Sequence, residues 1–170
     1  MMRLESAGRW SLLVVLLVLG PGAGVASPPP TLNGTWKLEA KTSDPLSPIL
    51  KNLGYGWFAR QVMESLSVEQ VITTTSKGVA VRVITRFTND TIVLPYDNQW
   101  GEGRTPDGGT TERRSRWLKK QPALLTEDRF PQGLLTTTRL RVDPSTLHEV
   151  LTFSAPGKPV LRAVRVFRRR

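Results

Sequence analysis

From Leu32 to Met63 a short strand containing Gly34-Thr35-Trp36-Lys37-Leu38 leads into a tight pair of amphipathic helices. The pair is centred on Asn52-Leu53-Gly54-Tyr55-Gly56-Trp57-Phe58-Ala59-Arg60-Gln61-Val62, and everything after it reads as β-hairpins. Few architectures insert one helix-turn-helix after the first strand of an otherwise all-β chain. A small closed barrel whose mouth the helices cover is one, and its interior is then the functional object, with a ligand cavity the first hypothesis.

Within the helical pair, Ser43-Asp44-Pro45 reads as a helix start: a capping side chain with proline in the first turn. Leu46, Ile49, Leu50 and Leu53 follow at i, i+3, i+4 and i+7, one apolar stripe, and Gly54 suits a C-terminal cap. A second helix from Gly56 to Ser65 places Ala59, Val62, Met63 and Leu66 on one face. Thereafter the period is two. Strands are expected at Val68–Thr74, Val79–Phe87, Thr91–Tyr96, Gln99–Arg104, Thr110–Leu118, Ala123–Phe130, Leu134–Val142, Leu147–Phe153 and Val160–Phe167, with Asn89-Asp90 as one hairpin turn. With a first strand at Asn33–Lys41 these make an all-β fold: a ten-stranded antiparallel up-and-down barrel with a helix-turn-helix lid.

Residues 1–26 have the layout of a signal peptide. Arg3 and Arg9 precede an apolar run, Trp10–Leu19, and the small-residue stretch Gly20–Ala26 places cleavage after Ala26. The run is well short of the roughly 20 residues that span a bilayer, so a secreted or luminal protein is expected. The organisation is then signal peptide 1–26, proline-rich lead-in 27–31, barrel 32–167 and basic tail 168–170. Two sequons, Asn33-Gly34-Thr35 and Asn89-Asp90-Thr91, make Asn33 and Asn89 candidates for N-glycosylation. The chain has no cysteine, so packing and hydrogen bonds alone must hold the fold in an oxidising compartment.

The net charge of +10 invites anionic partners such as lipid headgroups, sulfated glycans or acidic ligands. Nucleic acid is not expected of a secreted chain without a recognisable binding motif. Much of the excess sits in Arg113-Arg114-Ser115-Arg116 and in Arg168-Arg169-Arg170, the latter read as a loose tail. An alternative role therefore exists for the chain as a cationic module that binds anionic glycan or membrane surface. An enzyme is not expected. The one histidine, His148, lies on a strand between Leu147 and Glu149 as an exposed residue, and neither a nucleophile–base pair nor a metal site can be assembled, so no cofactor is expected.

Strand parity carries the remaining information. Val79, Val81, Val83, Thr85 and Phe87 share a face; so do Arg139 and Arg141, and so do Ala163, Arg165 and Phe167. Facing inward, Arg165 is a buried cation, costly unless an anion meets it; facing outward, it is an ordinary surface arginine. Parity leaves both open.

These residues resemble the intracellular lipid-binding protein family, the fatty-acid-binding and cellular retinoid-binding proteins. Gly34-Thr35-Trp36-Lys37-Leu38 is similar to its first-strand signature, Leu50–Val62 to its helix-turn-helix, and Thr85-Arg86-Phe87-Thr88-Asn89 to its third-strand turn. The resemblance spans Leu32 to Phe167 and implies a monomeric carrier holding a fatty acid or retinoid-like hydrophobic carboxylate in the barrel. It also implies carboxylate-binding roles for Arg165 and Arg139, with Arg141 one pleat away. Phe167 stands where the family carries a tyrosine, Trp57 and Phe58 fall in the lid as packing residues, and Lys51 and Arg60 fall by the portal, where transient contact with anionic membrane is expected. The family is typically cytosolic, and this chain departs from it in its export signal and in the long, glycine-rich Tyr96–Arg116.

Overall fold

The computed structural model describes residues 32–105, 108–119 and 122–170; the expected signal peptide and lead-in lie outside the described residues. Ten antiparallel strands form one sheet: β1 (Gly34–Leu38), β2 (Glu69–Thr74), β3 (Gly78–Ile84), β4 (Asn89–Pro95), β5 (Gly101–Arg104), β6 (Thr110–Leu118), β7 (Ala123–Phe130), β8 (Gly133–Asp143), β9 (Thr146–Ser154) and β10 (Leu161–Arg169). Strands adjacent in the chain pair in space, and β1 pairs with β10, giving the order β4-β3-β2-β1-β10-β9-β8-β7-β6-β5. Helices α1 (Ser47–Asn52) and α2 (Trp57–Ser65) occupy the connection from β1 to β2. Gly54, at φ +95°, follows the end of α1 as the sequence suggests.

One junction departs from a continuous meander. β4 and β5, the two ends of the sheet order, form no ladder with each other. The seam is drawn shut by β6 instead. The Ser115 hydroxyl donates to the Pro95 carbonyl at 2.5 Å, and the Asn98 N–H donates to the Ser115 carbonyl at 3.0 Å. Tyr96 stands edge-on to Trp117 with ring centroids 6.1 Å apart. β5 is four residues long and carries Gly103 where a Cβ would come within 2.8 Å of the Arg113 Cβ. A close-packed glycine strand pairs with β6 on one side and offers little to the other.

Three local expectations are corrected. The first is that the residues expected to cap α1 serve a strand. β1 ends at Leu38 and bends into a 3-10 turn, Ala40–Thr42, after which the chain returns to the edge of β10. There the Val164 N–H donates to Asp44 Oδ2 at 2.8 Å and the Val166 N–H to Ser43 Oγ at 2.9 Å, so α1 begins later, at Ser47. An unpaired strand edge competes for the same short oxygen-bearing side chains that cap helices. Secondly, Asn89 opens β4 opposite Ile84, and the hairpin turn is Thr85–Thr88, closed by the Thr85 N–H donating to the Thr88 carbonyl at 2.9 Å. Thr85 and Phe87 therefore leave the strand, and Phe87 is exposed. Finally, the terminal arginines are bound: Arg168 pairs with Glu39 at 2.9 Å, Arg170 with Glu69 at 2.8 Å, and the Arg170 N–H donates to the Thr35 carbonyl.

The inward-facing side chains form two apolar clusters. The larger, away from the helices, includes Trp36, Ile72, Val79, Leu124, Leu147 and Phe167. Trp36 is fully buried, and its indole N–H donates to the Leu32 carbonyl at 2.9 Å. The smaller cluster lies under the helices: Ile49 of α1 against Phe153 and Ala163, with Leu46, Leu53, Leu135 and Leu151 around them. At roughly 1.5–3 kcal/mol for each fully buried large apolar side chain, the first cluster carries most of the burial energy. None of the residues of α2 is fully buried.

Candidate functional site

Between the two clusters the wall turns polar. Cross-strand register sets Arg139 of β8 opposite Glu149 of β9, and Glu149 opposite Arg165 of β10. All three share the inward pleat with Thr137, Leu147 and Phe167, which are buried. Arg165 is 5% exposed, so its parity resolves inward. The row is closed by the protein's own acids. Arg139 Nη2 lies 2.5 Å from Glu149 Oε1, and Arg165 Nη1 lies 3.7 Å from Glu64 Oε2. Glu64 comes from α2, and its other oxygen accepts the Ser47 N–H of α1 at 2.6 Å. One carboxylate thus ties both helices to the barrel wall. From β2, across the interior, Gln70 Nε2 reaches Glu149 Oε2 at 3.5 Å. Burial holds the Arg165 guanidinium below the ordinary arginine value, while Glu64 and Glu149 pull it back up.

Three polar atoms in this belt are enclosed and have no protein partner: Arg139 Nε, Gln70 Oε1 and Thr126 Oγ1. Gln70 and Thr126 are each 3% exposed. Thr126 sits on β7 opposite Thr137, a diagonal neighbour of Arg139 on the same face. An unmet buried donor or acceptor costs roughly 1–3 kcal/mol, so a group of three marks a place where something polar belongs. Beside the belt, Arg113 of β6 pairs with Asp128 of β7 at 2.7 Å. Burial pushes the Asp128 carboxyl up against the opposing pull of Arg113 and Arg139.

The other residues singled out in the sequence fall as follows. Arg141 lies at the exposed end of β8 opposite Leu147, one pleat step outside the row. Phe167 is buried in the larger apolar cluster. Trp57 and Phe58 lie on the lid helix but do not pack there: they are 67% and 74% exposed, because the stripe Ala59, Val62, Met63 and Leu66 takes the inward face of α2. Lys51 is exposed. Arg60 is half-buried and serves the turn between the helices, donating from Nη1 to the Tyr55 carbonyl at 2.9 Å. Asn33 Oδ1 accepts from the Thr74 N–H and hydroxyl, and Asn89 Oδ1 from Arg82 Nε at 2.6 Å. His148 is half-buried on the outward pleat. The arginine cluster is divided: Arg113 points in, while Arg114 and Arg116 both meet Glu127, at 2.6 and 3.4 Å. Arg114 and Arg129 also stack over the Trp100 ring, and Arg129 pairs with Glu112.

A surface notch of about 240 Å³ is bordered by Leu53, which packs against the smaller apolar cluster, and by Gly54, Tyr55, Thr105, Phe130 and Gln132. It opens where the turn between the helices meets the β5–β6 and β7–β8 connections. A shallower groove of about 550 Å³ on β5–β6 is lined by Trp100, Glu102, Thr111 and Glu112. Among the described residues no group of three or more His, Cys, Asp or Glu could hold a metal ion, and no helix is long and apolar enough to cross a membrane.

Glu149, Glu64 and Gln70 were not singled out from the sequence. Two of them leave a trace there: Gln70 falls at the inward parity of Ile72, and Glu149 lies between Leu147 and Leu151 on a face otherwise apolar.

No protein-family model matches the chain, and no curated protein matches it in sequence. Solved structures do. A REP1-NXSQ fatty acid transporter is 19% identical over 82% of this chain and 96% of its own, with a TM-score of 0.69. The Schistosoma mansoni fatty acid binding protein in complex with arachidonic acid is 19% identical over 81% and 95%, TM-score 0.67. Human cRBP IV is 17% identical over 84% and 100%, TM-score 0.65. The fold, ten antiparallel strands with two helices after the first, is that of the intracellular fatty-acid-binding and retinoid-binding proteins.

Proposed function

We propose that this protein is a carrier that encloses a single long apolar ligand with a polar head inside its barrel. The observation that carries the reading is the buried polar row between two apolar clusters, beneath a helical lid. The structural neighbours are named as a fatty acid transporter and as a fatty acid binding protein holding arachidonic acid, which makes a long-chain lipid of that type, the acid or a neutral derivative of it, the first candidate. A chain losing about a dozen methylenes from water gains on the order of 10 kcal/mol, and ordering and lost translation take back a large part. The polar belt then chooses among headgroups, and the volume above it among chain lengths.

The lid supplies the gate. α2 buries none of its residues fully and is held inward by Glu64 on Arg165, so it can swing without dismantling the larger cluster. Exposed Lys51 on α1 and exposed Trp57 and Phe58 on α2 are suited to brief contact with anionic membrane during transfer. Residues 1–26, read as an export signal, support carriage in the secretory pathway or outside the cell, and the sequons at Asn33 and Asn89 support a glycosylated chain.

The test is to produce the chain through a secretory host, read its N-terminus and glycans by mass spectrometry, and extract what co-purifies. A stoichiometric long-chain lipid, or saturable uptake of one by the delipidated protein, is the expected result. Neither bound lipid nor uptake overturns the carrier reading.

A further inference from the structure

Resting on that carrier reading, we infer that the barrel selects an uncharged, hydrogen-bonding lipid head, such as an alcohol or primary amide, over a free carboxylate, and that Glu149 sets this choice. The two inward arginines that a carboxylate would seek are already matched. Arg139 is in charge-assisted contact with Glu149 at 2.5 Å, and Arg165 lies between Glu149 and Glu64. Two cations and two anions leave the row neutral. The neighbouring pair Arg113–Asp128 is neutral too. A ligand carboxylate would bring a third anion into a buried row with no surplus cation, within reach of Glu149 itself. Desolvation and like-charge repulsion both oppose this. Arg141 lies outside the row at the exposed strand end, and the side chain that follows inward on β10 is Phe167.

A neutral head meets the opposite situation. The partnerless buried atoms are one acceptor, Gln70 Oε1; one donor, the N–H of Arg139 Nε; and one hydroxyl that does both, Thr126 Oγ1. A hydroxyl or primary amide offers the complementary donor and acceptor without adding charge. Two of these side chains, Gln70 and Arg139, touch Glu149, the residue that neutralises the arginines, and Thr126 is a diagonal neighbour of Arg139 on the same face.

The experiment uses the full chain from a secretory host, delipidated, with Nile red as a non-ionic reporter displaced by chain-matched oleic acid, oleyl alcohol or oleamide at neutral pH. Wild type is expected to bind the alcohol and amide at least about tenfold more tightly than the acid. In Glu149→Gln, which releases a cation in the row, the acid is expected to gain by at least about the same factor and reverse the order. Wild-type protein that binds the acid as tightly as the alcohol overturns the inference while leaving the carrier reading intact. So does an unchanged ratio in Glu149→Gln. Binding of none of the three overturns the carrier reading and this one with it. Should Glu149→Gln fail to fold, the wild-type ratio decides alone.

Discussion

The two ends of this barrel are built on different terms. Away from the helices, Trp36, Leu124, Leu147 and Phe167 are essentially inaccessible, and the one polar atom of Trp36 is satisfied within the chain. Beneath the helices, the apolar cluster is small, the belt beside it holds three unmet polar atoms, and the covering helix buries none of its residues fully. A packed end fixes the strands; an incompletely satisfied end is where a guest can be taken up. On the carrier reading, stability and binding are therefore separable by position along the barrel axis.

The sharpest way to break that division is at the packed end. Phe167→Ala removes a buried ring where strands β10, β1 and β9 meet, and a loss of roughly 3–5 kcal/mol in unfolding free energy is expected from denaturant titration. Lipid selectivity, the ratio between headgroups, should stay as in wild type for the protein that remains folded. A ratio that moved with Phe167→Ala would place the ligand against the larger cluster and erase the distinction.

A smaller effect is expected at the seam. Ser115→Ala deletes the donor to the Pro95 carbonyl and leaves that acceptor to the interior, a cost of roughly 1–2 kcal/mol. Hydrogen exchange should quicken at the Asn98 amide, which donates to the Ser115 carbonyl, and not at β9. Uniform loosening of the sheet would show instead that β4 and β6 are not the joint that closes it.

How far this division could be read from the sequence depends on the kind of residue. β6 and β7 fall where their alternation places them, because long strands with turn residues at both ends leave little choice of register. The two helices are legible for the same reason: a four-residue apolar stripe and Gly54 admit one phase. The start of α1 was not legible, since Ser43 and Asp44 are good ligands for any orphan N–H and only the fold shows that β10 supplies one. The site divides likewise. Parity placed Arg139 on the face of Arg141 and Arg165 on the face of Phe167, but parity ranks positions on one strand and says nothing of what stands opposite. Glu149 meets Arg139 only through pairing of β8 with β9, and Glu64 meets Arg165 only through docking of the lid.

pH offers a comparison of two carboxylates in opposite settings. Asp143, at the exposed end of β8 where the turn to β9 begins, is pulled down to about 2 by hydrogen bonds from Thr146 and from the Ser145 backbone and hydroxyl. A lowered folded pKa contributes stability that is complete above the unfolded value of about 3.8 and is lost as pH falls through about 2. Asp128 is raised by burial, so its contribution is complete below its unfolded value and is lost as pH rises through the higher folded one. In unfolding titrations across acid pH, Asp143→Asn should flatten the decline of stability toward low pH, and Asp128→Asn should remove part of the rise that acidification produces. Equal slopes in the two variants would contradict the contrast between turn and wall.

The smallest effect on stability is expected where exposure is greatest. Trp57→Ser and Phe58→Ser change side chains that touch little of the barrel, and unfolding free energy should stay within about 0.5 kcal/mol of wild type. Their effect should fall on transfer instead. Two exposed aromatic rings on a loosely held α2 can enter a headgroup layer while Glu64 still holds the helix from within. Co-sedimentation with vesicles containing anionic phosphatidylserine should drop in the double variant, and ligand release to those vesicles should slow, with equilibrium affinity for the lipid unchanged. Lys51→Ala should weaken the same association at low salt and matter less as ionic strength screens it. If the aromatic variants instead lost stability by several kcal/mol, the rings would have to be packing against the barrel, and the lid would belong to the rigid end of the molecule after all.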